Sequence, residues 1–192
     1  MVPASFVLSA ASASDFPATG LPEIALVGRS NVGKSSLINA LVQKTIARTS
    51  AAPGKTRLAN FYLVENFYLV DLPGYGYARG GDDAAREFEQ LSAAYFRVEP
   101  GSRRRLAGIL HLIDARHPDL QPDADAHDWL QRTALPIAIV ATKIDKLTRA
   151  ERTRHVLALE NDYDTAILPV SAAAREGLDG IWKAIRSWTA RP

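Results

Sequence analysis

The chain has 192 residues, a net charge of +2 from 23 basic and 21 acidic side chains, and no cysteine. This length and balance indicate one globular domain, exclude disulfides, thiolate metal sites and thiol nucleophiles, and do not by themselves indicate a nucleic-acid binder. No apolar run approaches the roughly 18 residues of a membrane span, and no basic residue precedes the apolar patch at residues 6–8, so we expect no signal peptide, no membrane partner and a cytoplasmic location.

In chain order, β-rich runs alternate with segments of helical periodicity. Strands are predicted at residues 23–28, 58–64, 67–72, 106–113, 136–141 and 166–170, and helices at residues 34–42, 82–98, 122–133, 148–161 and 176–189. Only Glu65 and Asn66 separate the second strand from the third, which predicts a hairpin. The alternation predicts an α/β fold of three layers, whose mostly parallel sheet binds ligands at the carboxyl ends of its strands. Residues 1–21 are interpreted as an N-terminal extension and residues 22–192 as the domain.

The first turn from a strand to a helix is glycine-rich. It matches the pattern G-x-x-x-x-G-K-[ST] and reads Gly28-Arg29-Ser30-Asn31-Val32-Gly33-Lys34-Ser35. The glycines let backbone N–H groups approach a phosphate, Lys34 supplies a charge to the β- and γ-phosphates, and Ser35 offers a hydroxyl to Mg²⁺. The helix that follows directs its N-terminus at the anion. Because the motif lies between a strand and an amphipathic helix, we interpret it as a phosphate-binding loop rather than a chance match.

Two further loops contain residues suited to the γ-phosphate. The third predicted strand ends in Asp71-Leu72-Pro73-Gly74, where the carboxylate can orient Mg²⁺ through water and the Gly74 N–H can reach the γ-phosphate. The long loop 43–57 contains Pro53-Gly54-Lys55-Thr56, and the Thr56 hydroxyl is the predicted second protein ligand of Mg²⁺. The alternative for Thr56 is an ordinary surface threonine. Lys34, Thr56 and Gly74 are therefore the candidates for a direct part in phosphate hydrolysis.

The base is predicted to bind after the last two strands. The strand 136–141 is followed by Thr142-Lys143-Ile144-Asp145. The Asp145 carboxylate can accept hydrogen bonds from guanine N1–H and N2–H₂, whereas adenine offers no such pair of donors. The Lys143 stem can lie along the base, and the last strand ends at Val170, so that the backbone of Ser171 and Ala172 can meet guanine O6. The residues thus predict GTP or GDP, and not ATP, as the ligand.

These stretches together resemble the translation-factor-related P-loop GTPases and, within them, the EngB (YihA/YsxC) family. The resemblance extends from Pro22 to the C-terminus and includes Ser36 after the phosphate loop. Its most family-specific stretch is Asp71-Leu72-Pro73-Gly74-Tyr75-Gly76-Tyr77-Ala78, and other matching stretches are Asn60-Phe61-Tyr62, Asp114-Ala115-Arg116-His117 and Thr142-Lys143-Ile144-Asp145-Lys146-Leu147.

The resemblance implies a six-stranded sheet with one antiparallel strand, the first of the hairpin, flanked by about five helices. It also implies a Mg²⁺-dependent GTPase that assists assembly of the large ribosomal subunit and is linked to cell division and septation. We expect a monomer. The alternative function is a GTP-dependent signalling switch that binds a protein effector without contacting RNA.

Two residues bear on the rate of hydrolysis. Tyr75 follows Gly74, where Ras-like enzymes have the glutamine that orients the attacking water, so we expect slow hydrolysis without a partner such as the ribosome. In related GTPases an asparagine at the position of Asn31 helps to hold K⁺ near the phosphates, which adds positive charge there. The alternative is that Asn31 only caps the loop backbone.

Three other features, a basic run, an acidic run and a histidine, are interpreted as structural rather than as parts of a binding site. Arg103-Arg104-Arg105 is the densest basic run, and we favour a charged loop before a strand over a contact with rRNA phosphates. The acidic run 123–128 lacks the glycine of a calcium loop and is interpreted as a solvated helix start. His111 lies in an apolar strand and is predicted to be a core residue.

Overall fold

The fold is built on a sheet of seven strands within the described residues. The computed structural model describes residues 2–48, 58–75 and 90–190. In chain order the strands are β1 (Ala4–Ala10), β2 (Pro22–Gly28), β3 (Ala59–Val64), β4 (Phe67–Asp71), β5 (Arg105–Asp114), β6 (Ile137–Thr142) and β7 (Ile167–Pro169). Their order across the sheet is β1-β3-β4-β2-β5-β6-β7. The parallel strands therefore end at one edge, and this edge brings the loops after β2, β4, β6 and β7 together.

One strand, β3, runs opposite to the others. It pairs antiparallel with β1 and β4, whereas β2 pairs parallel with β4 and β5, and β6 pairs parallel with β5 and β7. The turn between β3 and β4 is the predicted pair Glu65 and Asn66, with Glu65 at a φ of 51°. The predicted α/β fold, with a mostly parallel sheet and one antiparallel strand, is confirmed.

The sheet has one strand more than the six expected, because residues 4–10 pair with β3 as β1. In this edge strand only Ala10 is buried, and the register shifts between Phe6 and Leu8 as at a bulge. An edge strand with one buried residue lacks the apolar alternation by which a strand is predicted. Part of the predicted N-terminal extension thus belongs to the same sheet, while the domain boundary at residue 22 stays a prediction.

Helices cover both faces of the sheet. They are α1 (Lys34–Val42), α2 (residues 90–96), α3 (Gln121–Gln131), α4 (Arg149–Tyr163) and α5 (Leu178–Thr189). Alternate residues of β2 point to opposite faces, so Ile24 and Leu26 pack with α1 and α5, while Ala25 and Val27 pack with α2 and α3. Leu159 of α4 packs against β6 and β7. Among the described residues, the three predicted layers and about five helices are confirmed.

The predicted bounds of the elements agree with the observed ones to within a few residues. At α4 the reason is a capping box, in which the Thr148 hydroxyl accepts the Glu151 N–H and the Glu151 carboxylate accepts the Thr148 N–H. The predicted loop 43–57 and helix 82–98 are only partly covered, since residues 49–57 and 76–89 lie outside the described residues. No helix in the described part of the chain has the length and apolar character needed to cross a membrane.

The Arg104 side chain is buried, unlike the charged loop expected for it, although its neighbour Arg103 is exposed as expected. The Arg104 guanidinium donates to both carboxylate oxygens of Glu23, at 3.1 and 2.7 Å, and to the Tyr95 carbonyl at 3.0 Å. It lies 4.6 Å from the ring centroid of Phe16 and 4.7 Å from that of Tyr95. This arrangement joins the N-terminal segment, β2 and α2. His111, which was predicted to be a core residue, is fully buried, as expected.

Candidate nucleotide-binding site

The loop from Gly28 to Ser35 has a backbone that requires glycine at two positions. A Cβ on Gly28 would lie 2.7 Å from the Leu112 carbonyl oxygen and 2.8 Å from Val32 Cγ1. Gly33 has a φ of 116° and is the residue directly before α1. The loop therefore leaves β2 through a crowded position and enters α1 through a conformation that other residues rarely adopt. This is the turn from strand to helix that the phosphate-loop motif requires.

Lys34 folds back over this loop. Its Nζ donates to the Gly28 carbonyl at 3.2 Å and to the Arg29 carbonyl at 3.5 Å, and the residue is buried. Burial lowers the pKa of Lys34, while the nearby Asp71 charge opposes this shift. The ammonium group is thus held at the start of the loop, with backbone carbonyls as its hydrogen-bond partners. A phosphate bound in the loop would find this charge already in position.

Ser35 and Asp71 form the candidate magnesium site. The Ser35 hydroxyl donates to Asp71 Oδ2 at 2.6 Å, while buried Oδ1 of the same carboxylate has no hydrogen-bond partner within the described residues. Burial raises the pKa of Asp71, and the Lys34 charge and the Ser35 hydroxyl oppose the rise. A hydroxyl and a carboxylate with an unused oxygen are suitable for Mg²⁺ and one of its waters. The described residues therefore fit the predicted metal.

Asp145 lies in the short 3₁₀ turn that follows β6. Its Oδ1 accepts a hydrogen bond from the Ser171 hydroxyl at 2.7 Å, and its Oδ2 lies 3.4 Å from Lys146 Nζ. The Ser171 hydrogen bond is the main cause that lowers the pKa of Asp145. The Ser171 hydroxyl in turn accepts the Ala174 N–H at 3.0 Å. The carboxylate that is predicted to read guanine is thus ionised, oriented and open to solvent.

The loop after β6 is tied directly to the phosphate loop. The Thr142 hydroxyl donates to the Val32 carbonyl at 2.8 Å. Lys143, at a φ of 60°, extends its Nζ to the Asn31 carbonyl at 2.7 Å and to Asp114 Oδ2 at 2.9 Å. The two predicted halves of the site are therefore in hydrogen-bonded contact.

Asp114 supports this contact, although the residues alone assigned it no role. It ends β5, where its buried carboxylate accepts hydrogen bonds from Arg116 and Lys143. Burial opposes ionisation, yet these two cations hold the pKa of Asp114 below its usual range. The available signal was its position, since a carboxylate at the carboxyl end of a parallel strand points to the ligand-binding edge.

The remaining base-side residues follow β7. Val170 is buried, and its N–H donates to the Ala141 carbonyl at 2.8 Å. Ser171 exchanges backbone hydrogen bonds with Glu176 at 3.1 and 3.0 Å, which closes the loop around Ala172. A cavity of about 370 Å³ has both Ala172 and Ser36 in its lining. Ser36 belongs to α1 and directly follows the phosphate loop, so this cavity lies between α1 and the loop after β7.

The segment after β4 lies against the phosphate loop. Leu72 and Pro73 are buried, and a Cβ on Gly74 would lie 2.6 Å from Ser30 N. The Ser30 N–H donates to the Tyr75 carbonyl at 3.0 Å. Gly74 is thus close to the loop, as its predicted role requires. Gly54, Lys55 and Thr56 lie outside the described residues.

The Tyr75 side chain lies in the core, where its hydroxyl is 2.7 Å from Asp123 Oδ1 and 2.8 Å from His111 Nε2. Asp123 is fully buried in the first turn of α3, and His127 is buried too, so the expectation of a solvated run at residues 123–128 is wrong for these two residues. Sequence reasoning missed this cluster because neither Asp123 nor His111 lies near Tyr75 along the chain. No group of three or more His, Asp or Glu side chains that could hold a metal ion occurs in the described part of the chain.

Comparison with known proteins assigns the family. A family model described as "50S ribosome-binding GTPase" matches residues 23–143. A probable GTP-binding protein EngB of Oceanobacillus iheyensis is 41% identical over 98% of this chain and 97% of its own length.

Two solved structures share the fold. A probable GTP-binding protein engB has a TM-score of 0.72 at 19% identity and covers 88% of this chain and 98% of its own. NFeoB from S. thermophilus, bound to GDP.AlF4- and K+, has a TM-score of 0.67 at 26% identity, covering 88% of this chain and 63% of its own. With the full-length identity above, these findings show that the chain belongs to the EngB family of GTP-binding proteins and is a GTP-hydrolysing enzyme.

Proposed function

We propose that this GTPase hydrolyses GTP to GDP and phosphate at the site formed by the loops after β2, β4, β6 and β7. The observation that carries the proposal is the pair of hydrogen bonds from Thr142 to Val32 and from Lys143 to Asn31, at 2.8 and 2.7 Å. They hold the base loop and the phosphate loop at a fixed separation. A nucleotide that contains both a guanine and phosphates can contact the two loops at once, so it should bind more tightly than guanine or phosphate alone.

The selection of guanine is assigned to Asp145. Its ionised carboxylate accepts from two guanine donors, whereas adenine would leave it without partners at a cost in binding. Competition between GTP and ATP for the purified protein, with Mg²⁺ supplied, tests this assignment. We expect GTP to displace a labelled guanine nucleotide at concentrations at which ATP does not; equal displacement would refute it.

The metal of this reaction is proposed to be Mg²⁺. Ser35 and Thr56 would be its protein ligands, and Asp71 would hold one of its waters through the oxygen that lacks a partner. When bound, Mg²⁺ neutralises phosphate charge in the transition state. Lys34 adds a positive charge at the same phosphates, and the Gly74 N–H donates to the γ-phosphate.

Hydrolysis by the isolated protein is proposed to be slow. Tyr75 occupies the position at which Ras-like enzymes have the water-orienting glutamine. Its hydroxyl is hydrogen-bonded to Asp123 and His111 inside the core. Activation would therefore come from outside the chain or from a cation. Asn31 supports the second possibility, because it is exposed and no side-chain hydrogen bond to the loop backbone is present among the described residues. The related NFeoB structure carries K+ together with GDP.AlF4-.

The biological role we propose is that of an assembly factor for the large ribosomal subunit, linked to cell division and septation, in the cytoplasm and as a monomer. The description of the matching family model, "50S ribosome-binding GTPase", supports this role. Arg149 and Arg154 of α4 are exposed and available to rRNA phosphates.

The test of this role is co-sedimentation of the protein with large ribosomal subunits in the presence of a non-hydrolysable GTP analogue. Binding that weakens steeply with salt supports the proposal, and no binding at low salt favours a signalling switch with a protein effector.

A further inference from the structure

Arg29 and Tyr75, from two different loops, share one buried carboxylate. Arg29 Nε donates to Asp123 at 3.2 and 3.1 Å, and the Tyr75 hydroxyl donates to Asp123 Oδ1 at 2.7 Å. Asp123 is fully buried, whereas the Arg29 side chain retains 24% exposure. A buried carboxylate is stable only with such partners, so the geometry of all three side chains is strongly constrained.

The hydrogen-bond direction at Tyr75 can be assigned. The phenol has one proton, and an ionised carboxylate can only accept, so this proton points to Asp123. The oxygen of Tyr75 must then accept from His111 Nε2, at 2.8 Å, which requires a proton on that nitrogen. Burial lowers the pKa of His111 to about 3, in agreement with a neutral ring. His111, Tyr75 and Asp123 thus form a chain that runs from β5 to α3.

The backbones of Arg29 and Tyr75 are also paired. They form a parallel bridge, in which the Ser30 N–H donates to the Tyr75 carbonyl at 3.0 Å. Gly74 directly precedes Tyr75 and lies so close to Ser30 that a Cβ on Gly74 would be 2.6 Å from the Ser30 nitrogen. The segment whose side chain is anchored in the core at Tyr75 thus contacts the phosphate loop through its backbone at both Gly74 and Tyr75.

We propose that Tyr75 and Asp123 are positioning residues for hydrolysis, which hold Gly74 against the phosphate loop so that its N–H reaches the γ-phosphate. Tyr75 does not replace the missing glutamine at the reacting atoms; it acts from the core, through Asp123 and Arg29. This inference rests on the proposed role of Gly74. GDP has no γ-phosphate, so this positioning of Gly74 affects the rate of GTP hydrolysis and leaves the affinity for GDP unchanged.

The test uses Tyr75→Phe and Asp123→Asn in the full chain. Tyr163→Phe is the matched control, because Tyr163 packs edge-on against His127 in the same cluster but makes no hydrogen bond to Tyr75 or Asp123 among the described residues. For each protein we would measure GDP affinity, kcat and KM for GTP, and the thermal midpoint. We expect both variants to lose about tenfold in kcat, with KM and GDP affinity within about twofold of the wild type. The control keeps wild-type kcat.

Two results would overturn the inference. One is a kcat within about twofold of the wild type in Tyr75→Phe. The other is a parallel loss of GDP affinity and thermal midpoint in this variant, which would indicate only a structural role. If Asp123→Asn does not fold, Tyr75→Phe decides, since it removes a single oxygen. Failure of the wild type itself to hydrolyse GTP would refute the proposed function instead.

Discussion

The Ser171 hydroxyl donates a hydrogen bond of 2.7 Å to Asp145, and so links the loop after β7 to the carboxylate predicted to recognise guanine. The same hydroxyl accepts the Ala174 N–H, which fixes its position. Since Oδ1 is held in this way, the orientation of the carboxylate is set before a base arrives.

Replacing Asp145 by Asn should therefore change the preferred base. The amide places donors where guanine also has donors, so GTP affinity should fall roughly 10- to 100-fold while xanthosine triphosphate gains. Isothermal titration with both nucleotides measures the two affinities. Ser171→Ala should cause a smaller loss of GTP affinity without a gain for the xanthosine nucleotide. Unchanged GTP affinity in Asp145→Asn would contradict the proposed recognition.

Replacing Asp71 by Asn should separate metal dependence from folding. We expect the apparent Mg²⁺ affinity in the presence of GTP to fall roughly 10- to 100-fold, as for other residues that hold a metal-bound water. Because burial raises the pKa of Asp71, the neutral amide should not destabilise the nucleotide-free protein at pH 7. Hydrolysis across a Mg²⁺ titration and thermal melts without nucleotide check both parts. Asp162→Asn, at an exposed position of α4, is the control.

The rate of hydrolysis should depend on K⁺ if Asn31 helps to hold it. At equal ionic strength, KCl should support hydrolysis about tenfold faster than NaCl, because a bound cation stabilises charge that develops on the phosphates. Asn31→Ala should hydrolyse GTP at the same low rate in both salts. Equal rates in KCl and NaCl for the wild type would leave Asn31 without this role.

Arg104 and Arg103 should behave differently despite their adjacent positions. Arg104→Ala leaves Glu23 buried without its partner, so we expect a loss of about 3–5 kcal/mol in the free energy of unfolding. Arg103 is exposed, and Arg103→Ala should change this free energy by about 0.5 kcal/mol or less. Denaturant unfolding of the two variants gives the comparison. Similar stabilities of the two variants would show that the Glu23–Arg104 ion pair does not stabilise the contact between the N-terminal segment, β2 and α2.

Much of the fold follows from local pattern. The glycine-rich turn, the hairpin at Glu65 and Asn66, and the helix after Lys34 each depend on neighbouring residues, and each occurs as predicted. The edge strand β1 could not be predicted in this way, because its partners in β3 lie 49 to 60 positions away in the sequence and only Ala10 becomes buried.

The candidate site divides in the same way. Residue types and spacing determined which groups could bind a guanine nucleotide and magnesium, because each loop motif depends on residues that are close together in the sequence. Only the tertiary structure decided that Lys143 contacts Asn31 and Asp114, and that Asp123 is buried between Arg29 and Tyr75. These contacts join residues that are distant in sequence. They arise because parallel strands end at a common edge, and that arrangement is a property of the assembled sheet.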